Sequence, residues 1–125
     1  MESGVLDLLD SSAVGLKFAG NGTVANARLS EAILPRTVDS NEAPTFSNCE
    51  MATKMKVDLG LPDSYEWTSP LPKGMVVARF TGKVPSAGQF KLVHAGHGYS
   101  GDFVVASDGS VTMDVVRKGF MIIFR

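Results

Sequence analysis

Short runs of β-forming residues follow one another at intervals of about 8–12 residues through the C-terminal half of the sequence. The runs are 75–80, 89–94, 102–106, 110–116 and 120–124. Within 89–94 the large apolar side chains recur at every second position, which is the period of a strand with one buried face. Five such runs at this spacing are typical of a β-sandwich or a β-barrel.

The residues between these runs favour antiparallel pairing. Asp108-Gly109 separates 102–106 from 110–116, and an Asp-Gly pair between two β runs is a strong hairpin signal because the turn requires positive φ. The last run, 120–124, is apolar on both faces, so we expect a central strand or a strand at an interface. The sequence therefore predicts an all-β fold, either an antiparallel β-sandwich or a jelly-roll-like barrel.

The N-terminal half is less regular than the C-terminal half. Its first apolar residues, at 2–9, allow a short helix. The alternating apolar residues of 13–18 favour a strand, and 23–29 is a candidate partner strand. Between 35 and 49 there is little periodicity, and the polar residues there indicate a long loop. No internal repeat is evident.

The stretch 51–59 alternates most clearly, with Met51, Met55, Val57 and Leu59 on one face. The spacing of Met51 and Met55 also allows a helix, but the continued two-residue alternation favours a strand. A second irregular stretch, 61–72, follows. Two long irregular stretches in a small domain are typical of binding loops or of arms that wrap neighbouring subunits.

The length and the composition indicate a single domain that has a subunit interface on its surface. We expect one β domain over 1–125, in which 1–50 is a long, partly irregular N-terminal segment and 51–125 is the β core. Charged residues make up 20% of the chain, and the mean hydropathy is +0.09. A small domain has proportionally more surface and should be more polar than average. The surplus of apolar residues therefore indicates a subunit interface.

The cellular compartment is indicated by three features that are not found in the sequence: a cysteine pair, a signal peptide and a membrane span. Cys49 is the only cysteine, so no intramolecular disulfide can form, as is usual in a reducing compartment. The N-terminus has neither the basic residues nor the unbroken apolar stretch of a signal peptide. No run approaches the ~18 apolar residues of a membrane span. We expect a soluble protein that is made in the cytosol and has no membrane partner.

The charge is divided unevenly along the chain. Residues 1–70 carry a net charge of −5 and residues 71–125 a net charge of +4, which gives −1 overall. Proteins that bind nucleic acid cluster their basic residues beside exposed aromatics, whereas these are scattered singly through the β runs. We therefore expect no nucleic-acid partner. Instead, the two halves are expected to face each other, within one subunit or between subunits.

One glycine motif matches the spacing of a dinucleotide-binding loop. Gly96, Gly98 and Gly101 follow the run 89–94. Such a loop must lead into a helix, because the N–H groups at the start of that helix hold the pyrophosphate. Here a β run follows, so we expect no cofactor and interpret the glycines as a tight β-loop.

The two histidines, His94 and His97, do not suffice for a metal site, since zinc needs three or four ligands. The alternation places His94 on the apolar face, which predicts a hydrogen-bonded core histidine. No nucleophile motif of the G-x-S-x-G kind is present, and no spacing predicts a pair of apposed carboxylates. We expect no bound metal, no catalytic residue and no enzymatic activity; a small β-barrel enzyme or a metal-dependent protein is the third alternative.

Four residues in the expected loops are candidate contacts with a partner or a ligand: Tyr65, Trp67, His97 and Tyr99. Exposed aromatic side chains are favoured at protein interfaces and at sugar-stacking sites because they bury a large area at a low cost in entropy. Trp67 has an equally plain alternative, which is to fill one end of the core. The sequence leaves both roles open.

A compact run of β-strands, a long and poorly patterned N-terminal portion, few charges and one cysteine make this chain similar in style to the small structural proteins of tailed-phage virions. Capsid-cementing (decoration) proteins resemble it most in character. The resemblance implies a subunit that forms a homo-oligomer, a trimer or a dimer, and binds a major capsid protein or another virion protein. It also implies a virion location after synthesis in the cytoplasm of the host cell.

Two main functions therefore follow as expectations. The first is a non-enzymatic assembly protein, most specifically a capsid-cementing protein, which binds neighbouring subunits through apolar strands and loops. The alternative is a module that binds a carbohydrate or a host receptor, such as a tail-fibre tip, through the loops that carry Tyr65, Trp67, His97 and Tyr99.

Overall fold

The computed structural model describes residues 5–37, 42–68 and 70–117. The regular structure of these residues is β-strand, apart from one 3-10 helix at Ala87–Gln89. The all-β prediction is thus confirmed. The strands are β1 (Val5–Val14), β2 (Thr23–Ser30), β3 (Ile33–Pro35), β4 (Thr45–Ser47), β5 (Glu50–Met51), β6 (Met55–Leu61), β7 (Met75–Thr81), β8 (Phe90–Ala95), β9 (Tyr99–Val105) and β10 (Ser110–Arg117).

The strands form two sheets, and the chain passes back and forth between them. The larger sheet has the order β1-β2-β4-β7-β10-β9, with β5 also paired to β2, and the smaller sheet has the order β3-β6-β8. Consecutive strands within each sheet pair in parallel up to β7 and β8. This winding is that of a short β-solenoid. We define its first coil as 5–18, the second as 23–35, the third as 45–61 and the fourth as 75–95.

The prediction of antiparallel pairing is therefore wrong for most of the molecule. It holds only for β10, which pairs antiparallel with β9 and β7. The Asp108-Gly109 turn joins β9 to β10 as expected, and the Ser110 N–H donates to Asp108 Oδ1 (3.0 Å), which lowers the pKa of that carboxyl. Among the described residues neither sheet closes on itself, and the parallel order excludes the antiparallel connections of a jelly roll.

The physical reason for this error is that alternation reports on one strand and not on its partner. A period of two shows that a segment is extended and has one buried face. Parallel partners must be joined by a long crossover. Here that crossover is itself a strand of the opposite sheet, so that neighbours in sequence are not neighbours in a sheet.

The N-terminal half is more regular than predicted. The helix expected over 2–9 is wrong from Val5 onwards, because β1 extends through ten residues and pairs with β2. Pairing between coils overrides a weak local preference for helix. The candidate strand at 23–29 is confirmed by β2. Residues 1–4, 38–41 and the apolar run 120–124 lie outside the described residues.

The core is built from side chains that stack in register from coil to coil. In the larger sheet, Val24 pairs with Phe46, and Phe46 pairs with Phe80. The Phe46 and Phe80 rings stack at 5.1 Å with an interplanar angle of 24°. The Phe80 ring also meets the ring of Phe90 from the smaller sheet, edge-on at 6.0 Å. Both sheets therefore contribute to one hydrophobic cluster.

A polar ladder marks the position at which each coil bends beside this core. Asn26 and Asn48 occupy equivalent positions with φ of 56° and 57°, and Gly82 follows with φ of 80°. Asn48 Nδ2 donates to Asn26 Oδ1 (3.1 Å), and Asn26 Nδ2 donates to Asp7 Oδ1 (3.2 Å). Asparagine and glycine tolerate this left-handed conformation better than other residues do, so the ladder fixes both the bend and the register.

The ladder also reveals an internal repeat that the sequence analysis missed. The segment Thr23-Val-Ala-Asn-Ala-Arg-Leu29 pairs in parallel with Thr45-Phe-Ser-Asn-Cys-Glu-Met51, position by position and 22 residues apart. The next step, from Thr45 to Arg79, spans 34 residues. Because the coil length changes from one coil to the next, no fixed period is present in the sequence.

Substitution at Asn48 tests the ladder. We expect Asn48→Ala to lower the free energy of unfolding by about 1 kcal/mol more than Asn48→Gly, because both variants lose the hydrogen bond to Asn26 but only alanine strains the left-handed backbone. Urea denaturation followed by circular dichroism measures the difference. Equal stability of the two variants would show that the backbone conformation at this bend does not matter.

Candidate functional site

Trp67 lies in the core at one end of the molecule. Its side chain is only 9% exposed, and the indole N–H donates to the Ala95 carbonyl (2.8 Å), at the end of β8. Tyr65 packs edge-on against the indole, with the ring centroids 5.1 Å apart. Trp67 therefore attaches the loop between β6 and β7 to the fourth coil, and the core role left open by the sequence is the one observed.

Tyr99 lies beside Trp67, at the start of β9. It is buried, and its ring centroid is 6.3 Å from that of Trp67. Arg117, which pairs with Tyr99 across the β9–β10 hairpin, holds its guanidinium carbon 5.2 Å from the centre of the Tyr99 ring. A cation–π contact of this kind covers an aromatic face, so that face is not available for a ligand.

His97 is exposed on the loop before β9. Its backbone N–H donates to the Asp63 carbonyl (3.0 Å). At the neighbouring Gly96, where φ is +91°, a Cβ would lie 2.7 Å from the Tyr65 carbonyl oxygen, so only glycine fits. The loop 96–98 is thereby pressed against the loop that carries Tyr65. All four candidate residues thus lie together at one end of the molecule.

An open groove of about 510 Å³ runs between these two loops. Tyr65, whose side chain is 36% exposed, is the aromatic residue with an accessible ring, whereas Trp67 and Tyr99 support it from below. The groove offers carboxylates, a guanidinium and an imidazole, which can hydrogen-bond a polar ligand. The residues that line it are Asp63, Ser64, Tyr65, Glu66, His97, Gly98, Tyr99 and Arg117.

Arg117 is the groove residue that the sequence analysis missed, although a signal for it is present. The hairpin turn has three residues, Ser107-Asp108-Gly109, because the Ala106 N–H donates to the Ser110 carbonyl (2.9 Å), and it fixes the register of the hairpin. Extending that register to the start of β9 places residue 117 opposite Tyr99, as observed. Asp63 and Glu66 carry no comparable signal, since they lie on an irregular loop whose path depends on Trp67.

The prediction of a core position for His94 is wrong. Its side chain is 65% exposed, and Nδ1 lies 3.0 Å from Asp58 Oδ1. The register between β6 and β8 shifts after Asp58, and His94 has a φ of 52°. This bulge turns the side chain from the buried face to the surface. Within the described ranges no three metal-ligating side chains come together.

Cys49 is buried beside the polar ladder. Its thiol donates to the Val24 carbonyl (Sγ···O 3.5 Å), and burial raises the pKa of the thiol above its usual value. The reactive form of cysteine is the thiolate. A raised pKa makes that form scarcer at neutral pH, so Cys49 is placed as a packing residue rather than as a nucleophile.

The reactivity of this thiol gives a direct check. We expect Cys49 to react with a thiol reagent at neutral pH much more slowly in the native protein than in urea, because burial limits access and suppresses the thiolate. A Val104→Cys variant, which adds a thiol at a position 59% exposed on β9, is the matched control. Two native thiols that react equally fast would contradict the burial of Cys49.

The opposite end of the molecule is open among the described residues. There β1 pairs with β2 alone, which leaves its other edge without a neighbouring strand. Three apolar side chains on this coil are exposed: Leu9 (79%), Val14 (68%) and Leu16 (41%). The alternation at 13–18 predicts that Val14, Leu16 and Phe18 share one face of a strand. Of these three side chains, that of Phe18 alone is buried. The reason is that β1 ends at Val14 and Gly15 turns the chain with φ of 71°.

The fourth coil, by contrast, is covered by the β9–β10 hairpin. The Phe103 ring stacks on the Phe90 ring at 5.5 Å. A Cβ at Gly101 would approach Met113 Sδ at 2.9 Å and Leu92 Cβ at 3.0 Å, so the hairpin backbone lies directly on the core. In the ranges that the structure describes, the two ends of the stack of coils therefore differ: one is capped by the hairpin, and the other has no capping element.

Comparison with models of protein families found no matching family, and comparisons with curated proteins and with solved structures found no significant match. In the part of the chain that the structure describes, no helix is long and apolar enough to span a membrane. The functional argument therefore rests on the groove and on the open first coil.

Proposed function

We propose that the protein is a non-enzymatic structural subunit that assembles with its neighbours, and that capsid cementing in a tailed-phage virion is the most specific form of this role. The observation that carries the proposal is the first coil, where a strand edge that no described strand pairs with lies beside exposed Leu9, Val14 and Leu16. Solenoid proteins require a capping element at each end, because a terminal coil otherwise leaves its edge and its apolar residues in water.

The architecture supports a role in binding neighbouring subunits. The two sheets, which share one core, are proposed to act as the layers of a stiff β-sandwich of the solenoid kind. Two of the residues that commonly carry chemistry are already engaged: the Cys49 thiol is buried, and the exposed His94 pairs with Asp58. The outer edge of β1 and the exposed apolar side chains beside it form a surface that a neighbouring subunit can cover.

Binding to particles tests this function. We expect the chain to copurify with virions or another multisubunit assembly from its source, and the recombinant chain to bind particles that lack it. Leu16→Asp should weaken that binding, because it places a charge in the apolar patch. Val104→Asp, at a valine on the capped end that is more exposed than Leu16 (59% against 41%), should bind as the wild type does.

A negative outcome is equally clear. If the wild-type chain sediments separately from every particle fraction, and if it also remains a monomer at all concentrations, assembly is not its function.

The groove supports a second candidate, which is the recognition of a carbohydrate. The accessible Tyr65 ring lies among polar side chains, and sugar sites combine a stacking surface with hydrogen-bonding groups. This role is compatible with assembly, because the groove lies at the capped end and leaves the first coil free.

Glycan-array screening tests the second candidate. We expect Tyr65→Ala and His97→Ala to lose binding while the fold is retained, since both side chains are on the surface. Trp67→Ala is not a suitable probe, because truncating a core tryptophan costs about 3–5 kcal/mol and would unfold the loop. Binding that is unchanged in both surface variants would remove the groove from consideration.

A further inference from the structure

The backbone geometry of β1 shows which of its groups face the open edge. The Gly15 N–H donates to the Ser30 carbonyl (2.9 Å), so residue 15 faces β2. The hydrogen-bonding groups of successive residues in a strand point to opposite edges. Val14 and Ser12 therefore direct both their N–H and their C=O groups away from β2, toward the edge where no described strand pairs.

The usable part of this edge is short. Leu9 has a φ of 52°, and its N–H is held by Asp7 Oδ1 (2.9 Å), while the pairing of β1 with β2 shifts register between Asp7 and Ser11. Bulges of this kind interrupt edge pairing. On the other side the strand ends at Val14. Regular pairing is thus confined to residues 11–14.

We infer that this edge binds a second copy of the chain, by antiparallel pairing of residues 11–14 with the same residues of the partner about a two-fold axis. The inference rests on the proposed assembly function and names its first partner. In an antiparallel pair, residues that face the edge must lie opposite residues that face the edge. Ser12 therefore lies opposite Val14 of the other copy, and the axis passes beside Ala13.

This register gives four hydrogen bonds, because each of the two Ser12–Val14 pairs exchanges both N–H···O bonds. The four residues are uncharged, so no like charges face one another across the axis. The antiparallel direction also brings Lys17 of one copy toward the end of β1 that carries Asp7 in the other copy. The exposed side chains of Val14 and Leu16 lie beside the axis and become covered.

A two-fold dimer is favoured over a head-to-tail fibre because the ends of the stack differ. A fibre would require the first coil of one copy to continue the fourth coil of the next. The β9–β10 hairpin covers that fourth coil, and Phe103 stacks on Phe90 there. An isologous contact uses only the open end, and it closes after two copies.

Light scattering with substitutions at Ser12 and Val14 tests the dimer. We expect the wild type to have twice the monomer mass of 13.3 kDa. Ser12→Pro removes one outward N–H per copy without touching the bonds to β2, and it should weaken dimerisation about ten- to a hundredfold. Ser12→Thr keeps the N–H group and should dimerise as the wild type does.

A second pair of variants and an exchange measurement cover the case in which Ser12→Pro fails to fold. Val14→Lys places two like charges near the axis and should dissociate the dimer, whereas Val104→Lys, on β9, should not. In the wild type, the Val14 amide should become protected from hydrogen exchange as the concentration rises. The Gly15 amide, which is bonded to Ser30, should be protected at every concentration.

The alternative outcomes separate the two proposals. If the wild type forms an oligomer that Val14→Lys and Ser12→Pro leave intact, pairing through β1 is overturned while the assembly function stands. A wild-type trimer would likewise overturn the two-fold dimer and leave the assembly function standing. A strict monomer with a rapidly exchanging Val14 amide would also overturn the dimer. In that case binding of the chain to particles decides the assembly function independently.

Discussion

The alignment of Val24, Phe46 and Phe80 in consecutive parallel strands is the contact on which the rest of the structure depends. It places one apolar side chain from each of three coils in a single column, so that burial of each side chain requires the next coil to be in register. The left-handed bends at Asn26, Asn48 and Gly82 then turn the second, third and fourth coils at equivalent positions. Hydrophobic burial supplies the driving force, whereas the polar ladder supplies the alignment.

How much of this could be predicted from the sequence depends on how local the determinant is. The strands β2, β6, β7, β8 and β10 and the Asp108-Gly109 turn follow from alternation and turn chemistry within a few residues, and they were predicted. Parallel pairing was not, because it joins residues 16 to 35 positions apart. The Thr-x-x-Asn repeat at 23–26 and 45–48 carried that information, but with two copies and no constant period it is inconspicuous.

The candidate site shows the same division. Tyr65, Trp67, His97 and Tyr99 were identified as loop residues, and the structure brings them to one end of the molecule. Their separate roles depend on contacts that composition does not encode: the bond from the Trp67 indole to Ala95 buries that ring, and the stacking of Arg117 covers Tyr99. His94 was misplaced for a related reason, since a single left-handed residue reverses the side of the strand to which a side chain points.

The step between paired strands lengthens from 22 residues between β2 and β4 to 34 between β4 and β7, which has a consequence for how the molecule would be oriented. The longest excursion is the loop between β6 and β7, which connects the third coil to the fourth and which the Trp67 hydrogen bond to Ala95 holds in place. The first coil has no comparable excursion, and its strand edge is bare among the described residues. A subunit attached through its first coil would direct the β6–β7 loop away from the surface to which it binds. Substitutions in that loop would then change the exposed surface of the assembly without changing the attached end.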